Sequence, residues 1–182
     1  MKRSLVVAAL VAGLAVPALA ESTVMVGGQA MYPSKNIIQN AVNSGDHTTL
    51  VAAVKAAGLV DALQGKGPFT VFAPTNAAFA ALPAGTVDTL LKPENKAKLT
   101  AVLTYHVVPG DLTSAKLKAM IRAGHGEAKL KTLQGGTLTL TMNGPNNIEV
   151  KDEKGGTANI VVYDVIQSNG VIYSIDKVLL PG

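Results

Sequence analysis

The hydrophobic pattern of this chain changes period midway, and that change constrains the fold more than any other feature. In the first half, Leu50, Val51, Val54 and Ala57 share one helical face behind Asp46, the expected N-cap, and Gly58 stops the run. Pro33-Ser34 lead into a shorter helix over Asn36-Ile37-Ile38-Gln39-Asn40-Ala41-Val42. Pro93 suits a first helical position, with Glu94 near the positive end of the dipole and Leu99, Val102 and Leu103 facing inward. Thr113 is expected to cap another helix through Leu117 and Ile121. From Thr137 onward the period is two: Leu138, Leu140 and Met142 alternate with Thr137, Thr139 and Thr141, a strand with one wet face. Ile148 and Val150 continue it, and Val161 to Ile166 and Val171 to Val178 read as further strands across Gln167-Ser168-Asn169-Gly170. Asn-Gly there suits the positive φ of a tight hairpin turn. Helices first and antiparallel strands later predict an α+β domain.

The N-terminus reads as a secretory signal over residues 1–20. Lys2 and Arg3 give the positive start, Leu5 to Val16 the apolar stretch, and Ala18-Leu19-Ala20 a small-x-small cleavage site. The apolar stretch is shorter than the ~20 residues needed to span a bilayer, so no membrane span is expected after cleavage. Removing 20 residues from 182 leaves 162, a short extension over 21–35 and one domain over 36–182. The cut also takes two of the 16 basic residues against 12 acidic ones, so the net charge falls from +4 to +2. Mixed sign without a basic run makes nucleic acid an unexpected partner. With no cysteine in the chain, stability in an oxidising compartment must come from packing.

Enzymatic chemistry finds little support, and no catalytic residue, cofactor or metal is expected. His47, His106 and His125 lack the spacing of a local metal site, no G-x-S-x-G elbow is present, and Gly65-Lys66-Gly67 lacks the rest of a phosphate loop. His125, between Gly124 and Gly126, reads as an exposed loop residue, and Asp152 and Glu153 as solvated members of a glycine-rich turn. Glycan platforms want exposed aromatic faces; the chain has no Trp, and Phe69, Phe72, Phe79, Tyr105, Tyr163 and Tyr173 fall mostly in apparent core strands.

Three segments carry a resemblance: TVFAPTNAAF (Thr70 to Phe79), LTYHVVPG (Leu103 to Gly110) and SNGVIYSIDKVLLP (Ser168 to Pro181). In order and separation they resemble the fasciclin-like, or FAS1, domain family, over roughly Asn36 to Pro181. The single exported copy looks like bacterial members. The resemblance implies a wedge of two β-sheets with several helices packed along one edge. It also implies a secreted or surface-held, non-enzymatic protein of adhesion or matrix contact, whose partner is a protein or glycan on a cell surface or matrix. A periplasmic binding module for a small ligand or glycan is the alternative, and a monomer is expected. Many relatives carry His where this chain has Tyr173, so no role of that histidine is carried over.

Within those segments the residues have structural and functional readings. Pro74 keeps Ala73 extended, and the Thr75 or Asn76 side chain can then cap the next helix. Asn169, Gly170 and Asp176 are read as structural, as is Gly110 in a Pro109-Gly110 turn. Tyr105-His106 is read as part of an extended strand, where neighbouring side chains oppose each other. One ring is then expected in the core and the other outward, so that Tyr105, His106 and Pro109 form the candidate partner surface.

Overall fold

The computed structural model describes residues 22–182, so the signal-peptide reading lies outside the described residues. Nine strands and seven α-helices follow: β1 (Val24–Val26), β2 (Gln29–Met31), α1 (Ile37–Ala41), α2 (Thr48–Ala57), α3 (Val60–Gln64), β3 (Phe69–Pro74), α4 (Asn76–Ala80) and α5 (Thr86–Leu90). The chain continues with α6 (Lys96–Tyr105), β4 (Val107–Pro109), α7 (Ser114–Ala123), β5 (Glu127–Lys131), β6 (Thr137–Asn143), β7 (Asn147–Lys151), β8 (Thr157–Gln167) and β9 (Gly170–Ile175). Short 3-10 turns, Gly45–His47 and Pro93–Asn95, precede α2 and α6.

The large sheet has the order β4-β3-β9-β8-β7-β6-β5. β8 belongs to both of its halves. Residues 157–159 pair with β7, and from Ile160 onward β8 pairs with β9, with register shifts between Ile160 and Val165. Asp164, at φ 51°, sits in that irregular stretch. The bend folds the two halves toward each other, which is the expected two-sheet wedge. Leu130, Leu138, Leu140, Ile148 and Val150 from the β5–β7 half meet Phe72, Val171, Tyr173 and Ile175 from the other half, with Leu117 and Ile121 of α7 beside them. Thr137, Thr139 and Thr141 stay half-exposed on the opposite face, as alternation requires.

A second core lies on the other face of β3 and β9. There Val71, Ala73 and Ile172 meet Ile37 of α1, Leu50 and Val54 of α2, Leu63 of α3 and Leu99 and Leu103 of α6. The β1–β2 hairpin, in the segment read as an extension, adds Val26 and Met31 to this core. It is tied down by Asn40, which accepts from Tyr32 N at 3.1 Å, donates to Tyr32 O at 2.8 Å and also donates to the Gln167 side chain.

Several helix signals work as expected. Asn36 caps α1 with Gln39 in a reciprocal capping box, and Gly58 closes α2 at φ 73°. Asp46 does not cap α2; it lies inside the preceding 3-10 turn, and the cap comes from a distant side chain. Thr113 occupies the N-cap position of α7 without a side-chain hydrogen bond. Asp164 fills that role across 50 residues, accepting from Ser114 N at 2.7 Å and from Ser114 Oγ. The Asn-Gly turn also differs. Ser168-Asn169 form the two-residue loop between β8 and β9, and neither has positive φ. Gly170 carries the positive φ, at 154°, and a Cβ there would also lie 2.0 Å from the Phe69 carbonyl oxygen.

Candidate functional site

Tyr105 and His106 correct the strand reading. Tyr105 closes α6 and His106 is its C-cap in αR geometry, so the two rings do not alternate across a sheet; the strand begins only at Val107. Both are buried, at 0% and 3% exposure, and an outward ring is thereby ruled out. The helix continues because Leu99 and Leu103 pack into the core under the helices and Tyr105 into the core between the sheets, with Val102 also buried. Dipeptide alternation applies only where the backbone is already extended.

Each ring ties distant segments together. Tyr105 Oη donates to Thr137 O at 2.9 Å and accepts from Glu153 N at 3.0 Å, joining α6 to β6 and the turn after β7. His106 Nδ1 lies 2.7 Å from Val102 O, a carbonyl that can only accept, so this nitrogen carries the proton. Its Nε2 then accepts from Leu179 N at 3.0 Å, pinning the C-terminal tail. Burial holds the imidazole pKa down to about 4, against weaker upward pulls from the Val102 hydrogen bond and Asp152. A buried neutral ring with both nitrogens engaged is an architectural part, not a free acid or base.

Of the three candidate contact residues, Pro109 faces solvent. It ends β4 opposite Phe69 instead of opening a turn, and the bend at Gly110 that follows is held from within. Gly110 N donates to Pro68 O at 2.9 Å, Thr70 Oγ1 donates to Gly110 O at 2.7 Å, and Leu112 N donates to Thr70 Oγ1 at 3.0 Å. Gly110 has φ 110°, a backbone conformation open mainly to glycine.

Thr75 caps α4 by accepting from Ala78 N at 3.2 Å, which answers one half of the Thr75-Asn76 reading. Asn76 reaches sideways instead. Its Oδ1 accepts from Thr49 N at 3.0 Å and Thr48 Oγ1 at 3.2 Å, and its Nδ2 donates to Gly45 O at 2.9 Å. It therefore caps α2, the helix whose local N-cap makes no side-chain bond. Asn169 accepts from Ile37 N at 3.0 Å and donates to Leu63 O and Gly65 O at 2.9 and 2.8 Å, tying α1 and α3 to the β8–β9 loop. Asp176 accepts from Asn159 N and Nδ2 at 2.7 and 2.9 Å, fixing the end of β9 to β8.

Tyr173 lies on β9 and faces the core between the half-sheets. It stacks on Phe72 at 5.6 Å and meets Tyr163 edge-on at 6.0 Å. Its hydroxyl lies 2.7 Å from Leu112 O and 3.0 Å from Asp164 Oδ1. Burial first, then the Asp164 charge, pushes its pKa far above the ordinary tyrosine range, so it stays a neutral donor.

Asp152 corrects a second expectation. It is buried, not solvated: Oδ1 accepts from Lys154 N and Gly156 N at 3.0 and 2.7 Å, and Oδ2 from Leu180 N at 2.9 Å. Glu153 is exposed, yet it accepts from Thr137 N and Gly182 N, bonds that hold its pKa low. His125 is exposed, as expected, at φ 57°. His47 carried no signal in the sequence. It is buried, with Nδ1 2.8 Å from Ser44 Oγ, and its Nε2 has no hydrogen-bond partner. Desolvation lowers its pKa, partly offset by the Ala73 carbonyl, which faces the ring without closing a hydrogen bond of normal geometry. Among the described residues no group of three or more His, Asp or Glu is placed to hold a metal, and no helix is long and apolar enough to cross a membrane.

The fasciclin domain model matches residues 45–181. The protein sll1483 of Synechocystis sp. is 47% identical over 163 residues, covering 88% of this chain and 82% of that one. The immunogenic protein MPB70 of Mycobacterium bovis is 40% identical over 146 residues, 78% of this chain and 66% of its own. Among solved structures, a FAS1 domain pair from the insect cell adhesion molecule fasciclin I superposes with a TM-score of 0.73 at 17% identity, covering 82% of this chain and 52% of that one. The family match spans α2 through β9, and the chain belongs to the fasciclin domain family.

Proposed function

We propose that the chain is an exported, non-enzymatic protein of cell-surface adhesion or matrix contact, with a protein or glycan as partner. Family membership supports the class, and the insect neighbour is itself described as a cell adhesion molecule. The observation that carries the reading to a place is the Pro109-Gly110 bend. Tyr105 and His106 act behind it as internal ties, and Pro109 is the exposed member of the motif. A strand end paired with Phe69, followed by a bend at Gly110 locked by three hydrogen bonds, loses little conformational entropy on contact.

The test compares wild type with Pro109→Glu. The wild-type protein should attach to cells or envelope extract, and the variant should lose most of that attachment while melting normally. Failure of the wild type to attach at all would overturn adhesion, and full attachment by the variant would move the contact elsewhere. Export is tested separately: mass spectrometry of the released protein should find Glu21 first, and an intact Met1 form held in membranes would contradict the signal reading.

A further inference from the structure

The core under the helices contains a cavity of about 160 Å³ between the β1–β2 hairpin, α1, α2 and α3 on one side and β3, β8 and β9 on the other. Its wall is almost wholly apolar, with Met31, Ile37, Val54, Val71, Val165 and Ile172 among the lining residues. An engineered apolar cavity of about 150 Å³ in another protein stays dry and takes up benzene. His47 adds a polar point to this wall. It is 4% exposed, and its Nε2 is buried without a partner. A buried nitrogen left without a partner carries a desolvation cost that a ligand can relieve.

We propose that this cavity is a binding site for a small neutral ring compound bearing one hydroxyl, seated with its ring on Val71, Val165 and Ile172 and its hydroxyl on His47 Nε2. The volume sets the size at about that of a single six-membered ring. Neutrality follows from the wall: the cationic lining residue, Lys55, is itself exposed, and nothing inside could balance a charge. A hydroxyl is the fitting polar group because the tautomer depends on Ser44. If the Ser44 hydroxyl donates to Nδ1, Nε2–H donates to the ligand; if Nδ1–H donates to Ser44, Nε2 accepts. A hydroxyl answers both.

Entry is local. Val42 and Leu133, each 48% exposed, also belong to the wall, so the cavity comes close to solvent. One part of the cover, α1 with the β1–β2 hairpin, is a five-residue helix and two three-residue strands, elements short enough to open without global unfolding. The site is independent of the Pro109 surface, and either can fail alone.

The experiment titrates phenol and toluene into the full exported chain and follows the thermal midpoint and the ¹⁵N shifts of the histidine rings. Phenol should raise the midpoint saturably and move the His47 Nε2 resonance; toluene should raise the midpoint while leaving that resonance nearly unmoved. His47→Phe should weaken phenol at least tenfold and toluene less than about threefold, and Val165→Phe, which fills the cavity, should abolish both responses. If His47→Phe does not fold, the wild-type ¹⁵N contrast decides alone. No saturable response to phenol overturns the proposal. So does an Nε2 shift equal for the two probes, phenol binding that survives His47→Phe intact, or binding that survives Val165→Phe.

Discussion

Val171, Tyr173 and Ile175 point from β9 into the core between the half-sheets, whereas Ile172 and Ser174 point from the same strand toward the helices, and these two cores are filled differently. On the sheet–sheet side, Leu138, Leu140, Ile148, Val150 and Tyr173 have no exposed surface, and the hydroxyls of Tyr105, Tyr163 and Tyr173 all have partners. On the helix side lies the cavity. Both buried side-chain atoms lacking a partner among the described residues, His47 Nε2 and Ser174 Oγ, also belong there by position and strand alternation.

The difference has a physical cause. Between the sheets, ladders set the register and each apolar residue meets a fixed cross-strand partner, as Leu140 meets Ala128 and Val150. Over β3 and β9 the cover includes helices of five residues, little more than one turn each. Their positions are dictated by polar ties at their ends, from Asn76, Asn169 and Asn40, before side-chain volumes are matched. Caps place such helices well and fill space beneath them poorly.

Truncation should expose the contrast most strongly. Leu140→Ala in the dense core is expected to cost about 4–5 kcal/mol and Leu63→Ala on the cavity wall about 2–3 kcal/mol, read by denaturant unfolding. Equal costs would break the comparison. Tyr105→Ala and His106→Ala should both melt early, since both rings are internal ties.

A pH series reads the next effect. His106 has a folded pKa of about 4 against an ordinary histidine value of 6.5, so the unfolded chain takes up its proton first as pH falls. Stability is therefore complete above about pH 6.5 and is lost toward pH 4, by on the order of 3 kcal/mol at 1.36 kcal/mol per pKa unit. His47, also lowered, contributes in the same sense. The slope difference between wild type and His106→Gln isolates the ring; parallel curves would contradict its burial as a neutral acceptor.

Asn76→Ala should cost about 1–2 kcal/mol by uncapping α2, and hydrogen exchange should rise at the Thr49 amide first. Exchange rising instead at Ala78 would return Asn76 to its own helix. The smallest effect is one of sign. Val165→Ile adds a methylene toward empty space and should stabilise by roughly 0.5–1 kcal/mol, while Val150→Ile in the dense core should destabilise by about 1–3 kcal/mol.

The alternating Leu–Thr strand, the Gly58 stop and the three motif segments made the dense core and the family legible in the sequence. These features depend on local period and on residue types at fixed spacing. What stayed hidden depends on contacts across the chain. Asn76 caps a helix 27 residues upstream, Asp164 caps one 50 residues upstream, and Asp152 holds a tail 28 residues downstream, none of which a local window contains. The Tyr105-His106 reading failed because it assumed an extended backbone where α6 still runs. His47 and the cavity gave no periodic signal, since a void is a property of packed volume.

Xenon tests the unequal filling of the two cores most directly, because it enters dry apolar voids and little else. Diffraction from crystals held under xenon pressure should place the gas between α2 and β3, beside Val71 and Val165, with none among Leu138, Leu140 and Tyr173. Xenon among those three, or none in either core, would contradict the account.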